Sequence, residues 1–239
     1  MVEQPAYYRD SYMQSLETEI IKIEDKTVRL ADTIFYPEGG GQPGDQGELI
    51  ADDKTFAIID TKKDKASGDI LHVLEDATGL KVGDKITLRL DWPRRYAHMR
   101  MHTALHLLGS LIPVPVTGGA VGAEKSRLDF DLGDHQIDKV GLTEKMNHLI
   151  QSGHDLEFSS ITDAELDANP DLVRTMSVQP PRGSGVIRMV RIIDVDYQPC
   201  GGTHLNCVSE IGRVEIKKIE NKGKKNRRVH LIFAGENEG

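Results

Sequence analysis

Residues Asp91 to Pro113, DWPRRYAHMRMHTALHLLGSLIP, read as one helix that carries two histidines a turn apart. Asp91 suits the N-cap, Pro93 is tolerated in the first turn and Pro113 ends the run. Ala97, Met101, Ala104, Leu105, Leu108 and Ile112 recur at spacings of three and four, the period of a helix with one buried face. His102 and His106 lie on the neighbouring stripe, and His98 lengthens it by a turn. An i, i+4 pair projects both imidazoles to the same side, about 6 Å apart, which suits two corners of a metal tetrahedron.

In a chain with nine histidines, one such pair equally fits two partly exposed residues on an amphipathic face. What favours a metal is a second half-site, Cys200-Gly201-Gly202-Thr203-His204, in a chain with only two cysteines. His102, His106, Cys200 and His204 are therefore the candidate ligands. Imidazoles with one thiolate make the usual N/S tetrahedron of zinc, so one Zn2+ per chain is the expected cofactor. Four bound ligands would close the shell, as in structural sites, whereas a catalytic zinc keeps a position open; the sequence leaves both arrangements standing. Cys207 reads as a small core residue. A zincin protease is disfavoured, because Thr103 stands where H-E-x-x-H needs its glutamate. Arg182-Gly183-Ser184-Gly185 approximates a nucleophile elbow without the strand that must precede it, and no P-loop or dinucleotide fingerprint is present.

H-x-x-x-H on a helix followed about a hundred residues later by C-x-x-x-H resembles the editing domain shared by alanyl- and threonyl-tRNA synthetases. The surrounding text narrows the likeness: HTALHLL, SRLDFDL at Ser126 to Leu132, CGGTH followed by EIG at Glu210 to Gly212, and FYPEGGGQPGDQG at Phe35 to Gly47. Together these resemble the free-standing AlaX editing proteins of the medium-length type. The resemblance runs from about Thr18 to Ala234.

The net charge of −8 runs against a nucleic-acid partner, since phosphate neutralisation dominates that affinity. The charge is uneven, however. Between Arg213 and Arg228 eight basic residues face only Glu215 and Glu220, a local balance of +6, and Arg94, Arg95 and Arg100 sit on the histidine helix. Such a strip suits either a solvated turn around Gly223 or transient tRNA contact. No apolar run approaches a membrane span, and Met1-Val2-Glu3-Gln4 lacks the start of a signal peptide. Two cysteines are too few for a disulfide framework, so a cytoplasmic location without membrane or obligate protein partner is expected.

In chain order, Met1 to Ser15 suggests a short helix. Strand-like segments follow at 19–24, 27–31, 33–36, 47–51, 55–61, 70–74 and 85–90, joined by turn signals at Glu24-Asp25, Asp52-Asp53, Ser67-Gly68 and Val82-Gly83-Asp84. Many short strands at regular spacing read as a small barrel or sandwich, giving a first domain over 1–90. The second domain, 91–239, opens with the histidine helix. Next come a strand or loop at 114–122, a strand at 127–132, a helix at 137–152 and a strand at 155–161. A capped short helix starts at Thr162-Asp163-Ala164-Glu165, followed by a loop at 178–185, one strand over 186–197 and a hairpin of 210–220 with 227–234. The expectation is α+β: a β-barrel-like domain followed by an editing domain with an antiparallel sheet and a zinc-bearing helix.

The resemblance implies the substrate. These editing domains cleave the ester between a wrong amino acid and the terminal adenosine of tRNA, and AlaX proteins typically act on tRNA(Ala) mischarged with serine, sometimes glycine. It also implies that the glycine-rich loop, with Gly40, Gly41 and Gln42, helps to hold or discriminate the aminoacyl group. Telling serine from alanine needs a partner for the serine hydroxyl. Thr117 is the first candidate and Gln42 the second, and no general acid or base is assigned, although Asp45 and Asp129 lie in recognisable segments. The long C-terminal extension of some relatives is expected to be absent. The competing classes are a non-catalytic zinc-stabilised RNA-binding module and a general metallo-esterase.

Overall fold

The computed structural model describes residues 4–133, 136–173, 185–223 and 225–235. The chain divides into two compact units, Met1–Ala97 and His98–Gly239. In the first, one helical turn, α1 (Ala6–Arg9), precedes six strands: β1 (Ser15–Glu24), β2 (Thr27–Leu30), β3 (Gly47–Ala51), β4 (Lys54–Lys63), β5 (Ile70–Leu74) and β6 (Lys85–Leu90). They close into a barrel in the order β1-β2-β5-β4-β3-β6, antiparallel throughout, with β6 returning to β1 from Ser15↔Arg89 to Glu19↔Lys85. Closure leaves no unpaired sheet edge. Ile20, Val28, Leu49, Ile58, Leu74, Ile86 and Leu88 fill the interior. Two-residue loops close the β1–β2 and β3–β4 hairpins, with Asp25 and Asp52 at positive φ, a conformation that Asp tolerates.

The expected strand at 33–36 does not form, because its polar groups are taken by other partners. Tyr7 N–H donates to Thr33 O, Arg95 Nη2 to Ile34 O, and Tyr36 N–H to Asp45 Oδ2. Phe35 N–H donates to Thr33 Oγ1. Arg95 is fully buried, with its Nε 3.0 and 3.1 Å from the Asp45 carboxylate oxygens and its Nη1 donating to Ser11 O. This guanidinium thus replaces a sheet ladder as the brace of the segment.

The second unit begins within α2 (Trp92–Leu111) and continues through β7 (Val116–Ala120), β8 (Lys125–Asp131), α3 (Lys139–Ser152), β9 (Leu156–Ile161), α4 (Asp163–Ala168), β10 (Ile187–Ile192), β11 (Asp196–Pro199), β12 (Val214–Asn221) and β13 (Asn226–Phe233). Its strands form two antiparallel sheets, β12-β13-β8-β7 and β11-β10-β9, so the fold is α+β. On α3, Asp138 caps the first turn, Gly153 ends the helix in the left-handed region, and Leu142, Met146 and Ile150 form the buried stripe. α4 carries the Thr162–Glu165 capping box that its sequence announces.

Two boundaries differ from expectation. Residues 186–197 are not one strand: Ile192 pairs with Asp196 across a three-residue turn whose Asp194 has φ 63°. Apolar Ile192, Ile193 and Val195 surround Asp194, which is why the segment reads as strand in sequence. Residues 208–211 form a 3-10 turn, and β12 begins only after Gly212, at φ 74°. A Cβ on Gly212 would lie 2.9 Å from Arg100 Nη2, whose Nε donates to Ile211 O. The expected loop at 178–185 lies outside the described residues except for Gly185.

His72 is fully buried in the barrel unit. Its Nδ1–H donates to Val28 O and its Nε2 faces Thr33 Oγ1 at 2.8 Å, an arrangement that satisfies the neutral ring. Burial pushes its pKa down to about 4, against a smaller opposing effect of the Val28 carbonyl. Because the unfolded chain then binds the proton first, the contribution is complete above the ordinary histidine pKa and is lost as pH falls from about 6.5 to about 4. The loss amounts to roughly 3 kcal/mol. Urea unfolding of His72→Gln should show a flatter acid limb than wild type in that window; parallel limbs would mean that His72 is not the buried titrating group.

Candidate metal centre

The two histidine-bearing segments converge. His102 and His106 lie on one side of α2 with ring centroids 5.4 Å apart, and the chain leaves β11 at Pro199 directly into Cys200. His204 then brings its ring to 4.3 Å from that of His102 and 4.5 Å from that of His106. One donor atom from each of the four residues falls within a group no wider than 4.8 Å. Cys200 Sγ stands 3.5 Å from His102 Nε2 and 3.3 Å from His204 Nε2. A zinc tetrahedron of three nitrogens and one sulfur, with Zn–N near 2.0–2.1 Å and Zn–S near 2.3 Å, has edges of about 3.3–3.6 Å. The donor set fits such an ion in chemistry and in its two Cys200–histidine spacings, while its full width of up to 4.8 Å is greater than one edge.

The Cys200 loop is held from beneath by β10. Cys200 N–H donates to Arg188 O at 3.1 Å, and Arg188 Nη1 donates at 2.9 Å to both Cys200 O and Gly202 O. Gly202 N–H points at Cys200 Sγ from 3.4 Å, a contact that favours thiolate over thiol. Around the histidines, His106 Nδ1 meets Asp196 Oδ2 at 3.2 Å, Gln198 Nε2 meets the same oxygen at 2.6 Å, and His204 Nδ1 meets Thr103 Oγ1 at 3.2 Å. Arg188, Asp196 and Gln198 escape a reading of the sequence alone. Their one signal is the period of two on strands entering Cys200, which puts Asp196 and Gln198 on one face.

Burial pushes the Cys200 thiol up, but the neighbouring imidazoles of His102, then His204 and His106, outweigh it and hold the thiol well below its ordinary range. His204 is pushed down by burial and by the His102 charge. Burial pushes His106 down as well, yet the Cys200 thiolate and the Asp196 carboxylate raise it to about 9. One anion among crowded imidazoles is the electrostatic setting in which a divalent cation displaces protons.

The remaining candidates are not members of the donor group. His98 is buried outside the four-donor group, and Cys207 is a half-buried residue at the 3-10 turn, with Sγ 3.0 Å from Ser209 Oγ. Thr117 falls at a β-bulge between Val116 and Gly118, where its hydroxyl donates to Asn226 Oδ1 at 3.2 Å. In the barrel unit, Gly39 and Gln42 exchange both backbone hydrogen bonds around Gly40 and Gly41, whose φ values of 57° and 82° make this a tight turn of glycine chemistry. Gly40 and Gly41 are exposed, whereas Gln42 is buried. Asp45 is bound by Arg95, and Asp129 by Arg228 at 2.8 Å and Arg127 at 2.7 Å, so both carboxylates are occupied as braces. The basic strip is partly neutralised: Lys218 and Lys222 pair with Glu220, and Arg228 with Asp129, while Lys224 lies outside the described residues.

Among the described residues no helix is long and apolar enough to cross a membrane. The family described as tRNA synthetases class II (A) matches residues 8–94, and the threonyl and alanyl tRNA synthetase second additional domain matches residues 187–230. The second match takes in β10, β11 and the Cys200–His204 half-site. An alanyl-tRNA editing protein AlaX-M of Methanosarcina acetivorans is 36% identical over 95% of this chain and 97% of its own length. That of Saccharolobus solfataricus is 32% identical over 94% and 96%. An alanine–tRNA ligase of Metallosphaera sedula is 34% identical over 90% of this chain but only 24% of its own length. Since the AlaX-M relatives match over nearly their whole length while the synthetase matches over about a quarter of its own, the chain belongs to the AlaX-M family of alanyl-tRNA editing proteins.

Proposed function

We propose that this chain is a trans-editing hydrolase that deacylates tRNA(Ala) mischarged with serine or glycine, with His102, His106, Cys200 and His204 as the ligands of one zinc ion. The observation that carries the reading is the convergence of the two half-sites into one buried group of three imidazoles and a thiolate, in a chain of an editing family. These four side chains would hold the ion, which supplies Lewis-acid charge beside the α-amino group or the ester carbonyl.

The chain's own residues do the rest. Thr117 Oγ1 has given its proton to Asn226, which leaves an oxygen able to accept the hydroxyl proton of a seryl group. An alanyl group would leave that acceptor without a partner, at a cost of about 1–3 kcal/mol if it is buried, and this is the proposed source of discrimination. Gly40 and Gly41 offer exposed backbone for contact with the acylated end, and Gln42 is the second candidate for the hydroxyl. Asp45 and Asp129, already bound by arginines, are not proposed as general bases. Transfer RNA would meet the basic strip, in part through Arg213, Lys217 and Lys225.

A second reading has one observation in its favour. Four ligands would close the shell, as in structural zinc sites, and the metal would then only pin α2 to the Cys200 loop in a non-catalytic RNA-binding module. Incubating the purified protein with Ser-tRNA(Ala) and Ala-tRNA(Ala) separates the two: editing predicts loss of the seryl ester with sparing of the alanyl ester. Binding of tRNA with both esters intact establishes the module instead. A loss of both at similar rates makes the chain a general esterase.

Thr117→Val is nearly isosteric and removes the acceptor. Single-turnover seryl hydrolysis should fall about 2- to 12-fold, the worth of one neutral hydrogen bond, while the slow alanyl rate holds or rises. An unchanged preference would transfer the role to Gln42.

A further inference from the structure

We infer that Asp196 and Thr103 are positioning residues that fix the rings of His106 and His204 with Nε2 turned inward toward the metal site. The inference rests on the zinc reading above and extends it to the residues behind the ligands. Neither residue belongs to the H-x-x-x-H or C-x-x-x-H pattern as a ligand.

Three contacts surround Nδ1 of His106. His106 Nδ1 lies 3.2 Å from Asp196 Oδ2 and 3.0 Å from Gln198 Nε2, and Gln198 Nε2 lies 2.6 Å from Asp196 Oδ2. Turning the Gln198 amide over would set two oxygens against each other at that short separation, so the amide must donate to Asp196. An anionic Asp196 Oδ2 at 3.2 Å favours the proton on Nδ1 of His106, the form in which Nε2 offers its lone pair once a metal has displaced any proton there. Asp196 is buried and held at the first position of β11, directly after the Asp194 turn. The carboxylate therefore stands at a fixed place behind the ring.

Thr103 does the same for His204 with a neutral group. Its Oγ1 accepts Leu205 N–H at 3.2 Å and faces His204 Nδ1 at 3.2 Å. An oxygen with two lone pairs has room for a second proton beside that of Leu205, and with His204 Nδ1 as its donor Nε2 is left bare, 3.3 Å from Cys200 Sγ. Thr103 is fully buried on α2 between the two helix ligands. The position that a zincin protease gives to its general base here serves a ligand from the other half-site. One helix thus supplies two donors and sets the tautomer of a third.

A partner behind a ligating imidazole typically changes metal affinity by about 10- to 100-fold. The test is a chelator-competition titration with zinc, together with the absorption spectrum of the cobalt-substituted protein. The variants are Asp196→Asn, Thr103→Val and Thr103→Ser, with His102→Ala as the ligand control. We expect Asp196→Asn and Thr103→Val each to weaken zinc by about 10-fold or more and to shift the cobalt bands. Thr103→Ser, which restores the oxygen, should stay within about threefold of wild type. The threonine pair carries the test independently if Asp196→Asn fails to fold. Wild-type affinity and an unshifted spectrum in Thr103→Val and Asp196→Asn, alongside a clear loss in His102→Ala, would overturn the inference and leave the zinc reading intact. A wild type that takes up no zinc would overturn the zinc reading and this inference with it.

Discussion

Three imidazoles and a thiolate drawn into one buried group make a poor core by themselves, because crowded polar groups lose water and the cationic rings repel one another. Much of the second unit bears on this constraint. β10 and β11 form a tight hairpin that delivers Cys200 to the cluster, and the Arg188 guanidinium clamps the carbonyls on either side of Gly201. Arg100 bonds Ile211 O and lies 3.9 Å from the centre of the Phe233 ring, tying the next turn of α2 to the chain beyond His204. The proposed zinc ion would turn this unfavourable concentration of donors into binding energy.

The first unit solves a different problem with a similar device. Its glycine-rich segment cannot join the sheet, and the fully buried Arg95–Asp45 pair takes over the backbone groups left behind. An ion pair at such depth stabilises only when its other hydrogen bonds are made, and here Ser11 O, Ile34 O and Tyr36 N–H complete them. Arg95 lies on α2 in the first unit and the paired histidines His102 and His106 on α2 in the second, so one helix contributes buried polar groups to each.

What could be read in the sequence was whatever a local pattern encodes. The i, i+4 histidines, the C-x-x-x-H half-site, the Thr162–Glu165 capping box and the hairpins at Asp25 and Asp52 all depend on residues close in the chain. The strand expected at 33–36 failed because its partners, Arg95 and Asp45, are remote, and apolar content alone does not reveal a side chain that substitutes for a ladder. The turn at Asp194 was hidden by its apolar neighbours. Asp196, Gln198 and Arg188 were invisible for a related reason: each meets a member of the donor group through a contact that only tertiary structure creates. Thr103 was noticed for the chemistry it excludes, whereas its hydroxyl faces His204.

The central claim is that His102, His106, Cys200 and His204 hold zinc, and X-ray absorption at the zinc edge of freshly purified protein examines it directly. The account predicts zinc near one per chain, with about three nitrogen neighbours near 2.0–2.1 Å and one sulfur near 2.3 Å. One added light-atom neighbour would accompany a shell opened for substrate. An absence of zinc, or a shell of oxygens without sulfur, would contradict the account.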